Sequence, residues 1–246
     1  MTDWQGKTYW LIGASEGFGA ALAHQLSKVG VSVILSARSE DKLRQVADSL
    51  PGQSRILPLD VTDRAAVEQA AQQAGEIDGM IYLAGAYWPF GAEDWDTEKA
   101  EVIGDTNFLG CMRAVGAVLP GMKARGHGHI VLTGSLTAYG GLPGSAPYTA
   151  TKAAIMSLAE SLRCDLQNTG IEVQLLNPGY IRTRLTEKND FKMPAMMEPE
   201  EAATKAFEHM NSPSFARAFP SGFSLIFRLA RFLPGWAYFR LFSARA

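Results

Sequence analysis

A tyrosine and a lysine one helical turn apart stand at the predicted start of a helix, in the stretch YTATK. Because Tyr148 and Lys152 are four residues apart, their side chains project from the same face. Ser135 lies thirteen positions before Tyr148, directly after an apolar run that predicts a strand. A nearby ammonium favours the phenolate of a tyrosine, whose ordinary pKa of about 10 is too high for acid–base work near neutrality. The three side chains therefore predict proton transfer to or from a substrate oxygen that Ser135 helps to position.

Asn107 adds a fourth polar group, in the long helix predicted after the fourth apolar run. Asparagine is a poor residue for a helix interior, so its presence predicts that its amide makes a specific hydrogen bond. We expect a bond to a water that leads to Lys152. Each of these residues alone would usually have a structural role, and their joint occurrence favours chemistry.

Seven short apolar runs alternate with segments of helical period. The runs cover residues 8–13, 31–36, 55–60, 79–84, 129–134, 171–176 and 216–220. Because they are apolar on both faces, they predict strands of a buried parallel sheet joined by crossover helices. The expected fold class is α/β: a Rossmann-type, doubly wound, seven-stranded parallel sheet in a three-layer, single domain. Ligands of such sheets bind beyond the carboxyl ends of the strands.

A glycine-rich loop, GASEGFG, follows the first run and opens a helix. Glycines permit a tight turn and a close approach of backbone to a pyrophosphate, and the helix N-terminus offers free N–H groups. This context favours dinucleotide binding over a simple turn. The predicted cofactor contacts in the loop are Gly13, Ser15, Gly17, Phe18 and Gly19.

The second run ends without an acidic residue and continues as Ser36-Ala37-Arg38-Ser39. An acid at this place commonly binds the ribose 2′-hydroxyl of NAD, whereas an arginine accommodates the 2′-phosphate of NADP. We therefore predict that NADP(H) is preferred, with NAD(H) as the alternative, and that Arg38 stacks on adenine and faces the phosphate. Glu16 opposes this assignment unless its carboxylate turns to solvent, because it would repel a phosphate. A merely solvated Arg38 is the other interpretation.

Residues at the ends of the third and fourth runs complete the predicted cofactor site. They are Asp60, Val61, Ala84 and Gly85. Asp60 could accept a bond from the adenine amino group, cap a helix that begins at Thr62, or do both.

The order and spacing of these motifs resemble the short-chain dehydrogenase/reductase family over about residues 6 to 220. The resemblance implies a catalytic tetrad, a glycine motif and a Pro-Gly motif after the sixth run. The tetrad falls on Asn107, Ser135, Tyr148 and Lys152, the glycine motif on Gly13, Gly17 and Gly19, and the last motif on Pro178 and Gly179. It also implies that backbone near Ile181 binds the nicotinamide carboxamide and that Thr183 contacts the cofactor.

Two departures from the family pattern accompany this resemblance. Tyr82-Leu83-Ala84-Gly85 stands where the family usually has Asn-Asn-Ala-Gly, so the usual asparagine contacts are missing. Ile12 replaces a frequent threonine, which removes a hydroxyl that could link neighbouring loops. A homodimer or homotetramer is expected through the resemblance only.

The motifs together predict an NADP(H)-dependent carbonyl reductase or alcohol dehydrogenase. Hydride would pass between nicotinamide C4 and a carbonyl or secondary alcohol of a hydrophobic substrate, with Tyr148 as acid or base. The alternative is a nucleotide-sensing binding protein on the same fold, in which no hydride moves. The intact serine, tyrosine and lysine speak against it.

The segment of about residues 182–199 is too long for a simple connection, and we expect it to be a substrate lid. Its Phe191, Met193, Met196 and Met197 could shape an adaptable apolar pocket, or the methionines could pack on the body of the domain. Residues 87–90 would form the opposite wall, and Arg182 and Arg184 leave room for an anionic substrate group.

The chain is divided here into residues 1–221, an NAD(P)-binding domain, and 222–246, an apolar and basic extension of that domain. Residues 217–246 contain five arginines and no acid, so they carry +5 and residues 1–216 carry -7 (-2 minus +5). The extension could pack in a subunit interface or against the pocket, contact a membrane surface, or attach loosely.

Composition limits the remaining possibilities. A net charge of -2 and no cluster of basic residues argue against nucleic acid. Cys111 and Cys164 lack metal-ligand or disulfide spacing, so we predict two buried thiols, no metal site and a reducing compartment. With no signal-peptide pattern and no uncharged run of about 18 to 20 residues, a cytoplasmic protein is expected.

Overall fold

A parallel sheet of seven strands organises the computed structural model, which describes residues 3 to 243. The strands are β1 (Thr8–Ile12), β2 (Ser32–Ser36), β3 (Ser54–Ile56), β4 (Gly79–Tyr82), β5 (Gly128–Thr133), β6 (Ile171–Pro178) and β7 (Ala216–Phe219). Their order in the sheet is β3-β2-β1-β4-β5-β6-β7, and every neighbouring pair is parallel. The predicted doubly wound parallel sheet is confirmed. The order reverses between β1 and β4, which places a ligand crevice at the carboxyl ends of these two strands.

Helices cover both faces of the sheet. They are α1 (Gly17–Lys28), α2 (Glu40–Ser49), α3 (Arg64–Ala74), α4 (Thr97–Gly104), α5 (Gly110–Arg125), α6 (Ala146–Asp165), α7 (Pro199–Met210), α8 (Ser221–Ala230) and α9 (Gly235–Phe242). Alternate residues of β1 enter two separate cores, Trp10 and Ile12 on one side and Tyr9 and Leu11 on the other. This alternation explains why the strands are apolar on both faces.

A π-helical segment, Asp105–Leu109, joins α4 to α5 into one helical run over Thr97–Arg125. Within residues 3 to 243, this run alone is long and apolar enough to cross a membrane by length and composition. It packs against α3 and α6 beside the sheet, so we interpret it as a helix of the α/β layer. The π geometry releases backbone groups from regular helical bonding, and such segments often occur at functional sites.

The C-terminal helices pack against the loop that follows β5. The hydroxyl of Tyr238 in α9 donates to the carbonyl of Gly141 at 2.6 Å, and α8 contacts the short helix Leu136–Tyr139. The last predicted residues of the extension, 244–246 with Arg245, lie outside the described residues.

The two cysteines differ in exposure. Cys111 is buried in α5, as predicted, whereas Cys164 is exposed, so the prediction of a second buried thiol is wrong. The inward positions near the end of α6 are occupied by Ala159 and Leu166, seven residues apart. Cys164 falls outside that stripe and faces solvent.

Candidate active site

Two cavities meet at Tyr148, beyond the carboxyl ends of the strands. The first has a volume of about 420 Å³ and is bordered by the glycine loop and by residues after β2, β3, β4 and β6. The second, of about 690 Å³, lies between the loops after β4 and β5, the segment after β6, and α8. Tyr148, Gly179, Leu185 and Thr186 border both. A group bound in either cavity can therefore reach the same phenol.

The glycine loop is packed too closely to tolerate side chains at two positions. A Cβ atom on Gly13 would lie 2.4 Å from the backbone nitrogen of Ala84, and one on Gly19 would lie 2.1 Å from the carbonyl oxygen of Gly13. Helix α1 begins at Gly17 without a side-chain cap, and its Phe18 and Gly19 border the first cavity. The shape and the free N–H groups of this helix end fit the pyrophosphate of a dinucleotide.

Cations gather around the end of β2, where an adenosine phosphate is predicted. Arg38 is exposed and borders the first cavity together with Ser15, Ser39 and Lys42. The Glu16 carboxylate lies 2.5 Å from the Lys42 ammonium and 2.8 Å from the Arg184 guanidinium. These partners offset the negative charge that argued against a phosphate here.

Asp60 and Val61 also border the first cavity. The Asp60 Oδ1 atom accepts bonds from the Thr62 N–H at 3.0 Å and from the Thr62 hydroxyl at 2.8 Å. It does not cap a helix at Thr62, because α3 begins at Arg64 and is capped by Asp63. Asp60 thus holds a turn, and its carboxylate stays at the edge of the cavity.

Tyr148 and Lys152 lie on one face of α6, as their spacing predicts. The Lys152 Nζ atom is 5.6 Å from the centre of the Tyr148 ring and donates to the Thr133 carbonyl at 2.9 Å. Lys152 is only 5% exposed, and burial lowers its pKa to about 8. Ser135 is buried next to the second cavity, and its hydroxyl accepts from the Thr137 N–H at 3.2 Å.

Burial raises the pKa of Tyr148 to about 12. A hydrogen bond with Ser135 lowers this pKa, but its effect is smaller than that of burial. The sequence predicted instead that the neighbouring ammonium would favour the phenolate. The main cause of the raised pKa is desolvation, to which the Tyr87 ring contributes by packing edge-on with its centre 5.0 Å from the Tyr148 ring centre. Tyr148 therefore holds its proton at neutral pH.

Asn107 is fully buried in the π-helical segment and makes specific hydrogen bonds. Its Oδ1 atom accepts from the Ala86 N–H at 2.7 Å, and its Nδ2 atom donates to the Ala86 carbonyl and the Thr151 hydroxyl, both at 3.1 Å. The Thr151 bond brings the Asn107 amide next to Lys152, which follows Thr151 in α6. Asn107 thus connects the loop after β4 to the helix that carries the tyrosine and the lysine.

Tyr82 occupies the position at which the resemblance led us to expect an asparagine. Its ring is buried, and its hydroxyl donates to the Thr106 carbonyl at 2.6 Å, inside the π-helical segment. Here a bond from β4 to the segment that carries Asn107 takes the place of the missing asparagine contacts.

Seven aromatic side chains contribute to the wall of the second cavity. Tyr87, Pro89 and Phe90 border it as predicted, whereas Trp88 borders the first cavity. Besides Tyr87, Phe90 and Tyr148, the aromatic residues of the wall are Tyr180, Phe191, Phe223 and Phe227. Two of these, Phe223 and Phe227, come from α8, so the extension closes one side of the cavity.

The methionines of the 182–199 segment do not border this cavity, so the interpretation in which they shape the pocket is wrong. Met197 is buried in the core beside α1 and α7, because its backbone pairs with Tyr180 and Arg182 and turns the side chain inward. Met193 accepts a weak bond from the Asn189 amide. Packing on the body of the domain, the other interpretation, fits Met197.

The 182–199 segment is tied to the loop after β4 by contacts that sequence reasoning missed. The Tyr87 hydroxyl donates to Asn189 at 2.9 Å. The Lys188 ammonium donates to the Tyr87 carbonyl at 2.7 Å and lies 4.0 Å from the centre of the Trp88 ring. No local pattern signals these pairs, since their members are about a hundred residues apart in the chain.

The two arginines of this segment do not border the second cavity. Arg182 pairs with Glu198 at 2.8 Å on the surface, and Arg184 pairs with Glu16 beside the first cavity. The structure therefore places no arginine of the segment where it would meet an anionic group of the substrate.

Most predicted cofactor residues come together around the first cavity. Those that border it are Gly13, Ser15, Phe18, Gly19, Arg38, Asp60, Val61, Ala84, Gly85, Tyr148, Lys152, Pro178, Gly179, Ile181 and Thr183. Gly17 stands behind this wall, where a Cβ would lie 2.8 Å from the Thr183 methyl group. Lys42 and Thr133 border the cavity without having been predicted.

A parallel α/β sheet with a glycine-lined crevice at its switch point defines a nucleotide-binding class of protein. Within that class, the chain belongs to the short chain dehydrogenase family, whose model matches residues 7–193. An uncharacterized oxidoreductase of Staphylococcus haemolyticus is 33% identical over 219 residues, covering 87% of this chain and 95% of that protein. The protein is accordingly an oxidoreductase, which disfavours the alternative of a binding protein without turnover.

Solved structures share the fold over nearly the whole chain. A short chain dehydrogenase from Burkholderia cenocepacia, in complex with NADP, is 22% identical and superposes with a TM-score of 0.88, covering 99% of this chain and all of that one. A short chain dehydrogenase/reductase from Burkholderia phymatum, in complex with NAD, is also 22% identical, with a TM-score of 0.85 and 94% coverage of both chains.

Proposed function

We propose that this protein is an NADP(H)-dependent carbonyl reductase or alcohol dehydrogenase that acts on a hydrophobic carbonyl or secondary alcohol. The observation that carries this proposal is the position of Tyr148, which borders both a glycine-lined cavity and an aromatic one. A proton carried by this phenol is within reach of a substrate oxygen in the second cavity. The nucleotide would lie in the first.

The preference for NADP(H) is supported by the cations at the end of β2. Arg38 and Lys42 border the first cavity, and the carboxylate of Glu16 is paired with Lys42 and Arg184. The two related structures named above contain NADP in one case and NAD in the other, so NAD(H) remains the alternative cofactor. No acid stands at the end of β2 to bind a ribose 2′-hydroxyl.

In the reducing direction, Tyr148 donates its proton to the carbonyl oxygen of the substrate. Its raised pKa, about 12, keeps the proton in place until the oxygen gains negative charge. Ser135 donates a hydrogen bond to the same oxygen and positions it. A bound NADPH supplies the hydride for the carbonyl carbon, and in the oxidising direction Tyr148 takes the proton back.

Lys152 supplies positive charge next to the phenol when the proton leaves. Its ammonium lies 5.6 Å from the Tyr148 ring centre and is fixed by the Thr133 carbonyl. At this distance, in a site with little water, a positive charge stabilises a developing phenolate. Asn107 is a positioning residue that fixes the loop after β4 against α6.

The substrate class follows from the wall of the second cavity. A volume of about 690 Å³ with aromatic rings from the loop after β4 and from α8 suits a bulky apolar group beside the carbonyl. The segment 182–199 acts as a lid, held over the cavity by the bond between Asn189 and Tyr87. Opening of this lid would admit substrate and release product.

A homodimer or homotetramer is the expected assembly. Exposed apolar side chains on the helical run from α4 to α5, Leu109 and Met112, offer a face for contact between subunits. Light scattering of the purified protein gives the number of subunits directly.

The cofactor proposal is tested by titrating the protein with NADPH and, separately, with NADH, following nicotinamide fluorescence. We expect tighter binding of NADPH, and in Arg38→Ala a loss of roughly tenfold to a hundredfold for NADPH alone, since a charge-assisted bond contributes about 1.5 to 3 kcal/mol. Arg44→Ala is the matched control, because Arg44 pairs with Glu40 on the surface of α2 and does not border the cavity. Preference for NADH, or equal losses for both nucleotides, would overturn the assignment of Arg38.

The role of Tyr148 is tested in Tyr148→Phe with a panel of hydrophobic ketones. We expect NADPH affinity to change little and turnover to fall by about two to four orders of magnitude, the usual contribution of a general acid. Tyr139→Phe is a control, since Tyr139 lies in the nearby short helix and bonds to Asn177. Full turnover in Tyr148→Phe would show that the proton comes from another group.

A further inference from the structure

The outer face of α8 and α9 carries large apolar side chains that the fold leaves exposed. We define the C-terminal apolar surface by Leu225, Ile226, Leu229, Phe232, Trp236 and Phe239, whose exposed fractions range from 50% to 83%. Isolated apolar residues are normal on protein surfaces, but six exposed ones in α8, α9 and the turn between them mark an interaction site.

This exposure is not the result of a detached helix. Ser224, Phe227 and Ala230 are buried at three-residue spacing and fix one face of α8 to the body of the protein. Leu225 and Leu229 therefore project from the opposite face. A helix at an ordinary protein surface carries polar side chains there.

The charge of this part of the chain is entirely positive. No acidic residue follows Glu208, which pairs with Arg217 at 2.9 Å. Within the described residues, Arg228, Arg231 and Arg240 take part in no ion pair, and all three are exposed. Positive side chains thus flank the C-terminal apolar surface, whereas residues 1–216 carry -7.

We propose that the C-terminal apolar surface docks on an anionic lipid bilayer. Aromatic and aliphatic side chains beside arginines are the composition of helices that lie in the membrane interface. The apolar groups would enter the boundary between head groups and acyl chains, while the arginines bind lipid phosphates. The separation of charge along the chain orients the extension toward the bilayer and the acidic body away from it.

A second copy of the chain is the less favourable occupant. A two-fold interface brings the same surface of each copy together. The arginines of one copy, Arg228, Arg231 and Arg240, would then meet a surface whose charged side chains are also arginines, with no acid from this part of the chain to offset them. Like charges brought together in an interface cost several kcal/mol.

Docking would place the bilayer next to the proposed substrate pocket. Phe223 and Phe227 border the second cavity from the inner side of α8, and Leu225 and Leu229 stand on its outer side. The same helix therefore has the cavity on one face and the proposed bilayer contact on the other.

The proposal is tested with the full chain, without nucleotide or substrate, so the result does not depend on the proposed reaction. Co-sedimentation is measured with vesicles of phosphatidylcholine alone and with vesicles containing about 30% phosphatidylglycerol. We expect binding to the anionic vesicles that weakens with added salt, and a blue shift of tryptophan fluorescence that disappears in Trp236→Phe.

Two double variants separate the apolar from the ionic contribution. Arg228→Gln with Arg231→Gln should weaken binding roughly thirtyfold, at about 1 kcal/mol for each arginine. Phe232→Ser with Trp236→Ser should weaken it at least about tenfold. Trp95→Ser, which removes an exposed tryptophan outside the surface, and Lys123→Gln are the matched controls and should bind as the wild type does.

Failure of the wild type to bind anionic vesicles would overturn the proposal. Binding that is unchanged in both double variants would do the same. A dimer that dissociates in Phe232→Ser with Trp236→Ser, in a protein that ignores vesicles, would assign the C-terminal apolar surface to a second copy. Thermal unfolding of each variant shows that lost binding does not reflect lost folding.

Discussion

Replacing Lys152 by methionine should remove a pH-dependent cost of folding that the wild-type protein carries. Lys152 is 5% exposed, and its ammonium donates to the Thr133 carbonyl at 2.9 Å. Burial lowers its pKa from an ordinary 10.5 to about 8. At a pH below both values, the folded and unfolded chains both carry the proton, so the folded state bears the whole cost of burying the charge.

The cost disappears as pH rises from about 8 to about 10.5, because the folded protein releases a proton that the unfolded chain still binds. The free energy of unfolding of the wild type therefore rises over this window, by about 3 kcal/mol in total at 1.36 kcal/mol for each pKa unit. Tyr148 and Cys111 act in the opposite direction, since burial raises the pKa of each to about 12. Both are present in Lys152→Met, so the Tyr148 contribution cancels in the comparison, and making both proteins in a Cys111→Ala background removes the coupling between Cys111 and Lys152.

Urea unfolding, followed by tryptophan fluorescence at about pH 7 and about pH 10, measures this difference. Between these two conditions, we expect the stability of the wild type relative to Lys152→Met to increase by about 2 kcal/mol. Lys123→Met, which removes an exposed charge, is the matched control. A relative stability of Lys152→Met that does not change with pH would refute the lowered pKa, and with it the picture of a desolvated ammonium beside Tyr148.

Three further predictions concern groups that shape the site. Tyr82→Phe should lower the free energy of unfolding in urea by about 1 to 3 kcal/mol, because the Thr106 carbonyl loses its buried donor; unchanged stability would show that this bond is dispensable. Gly19→Ala places a Cβ 2.1 Å from a backbone oxygen and should abolish NADPH binding in fluorescence titrations, while normal affinity would contradict the close packing of the loop. Asn189→Ala breaks the bond to Tyr87 and should speed limited proteolysis of the 182–199 segment by about fivefold; equal rates would argue that other contacts hold the lid.

The fold could be predicted from the sequence because its signals are local. A strand buried on both faces must be apolar throughout, and a crossover helix must follow it before the next parallel strand. The glycine loop and the four-residue spacing of Tyr148 and Lys152 are also local, so their positions relative to a strand end or a helix face follow directly from the chain.

The expectations that the structure corrected concern where side chains point and where elements begin. Cys164 was expected to be buried, but which positions of α6 face inward depends on the sheet beneath it. Asp60 was considered as a helix cap, whereas Asp63 occupies that place. The methionines of the 182–199 segment could shape the pocket or pack on the body, and the pairing of Met197 with Tyr180 turned its side chain into the core.

The class of sheet, the crevice where a nucleotide fits and the residues that could carry a proton can be recognised from the order of amino acids, because each depends on short-range periodicity. Only the tertiary structure decided the protonation of these residues, since desolvation sums the surroundings that many segments contribute. Desolvation by burial raises the pKa of Tyr148 to about 12 and lowers that of Lys152 to about 8. The tertiary structure also places Phe223 and Phe227 of α8 at the second cavity and leaves the opposite face of this helix exposed. This could not be predicted from the sequence, because the packing of a terminal helix depends on a surface formed by the rest of the chain.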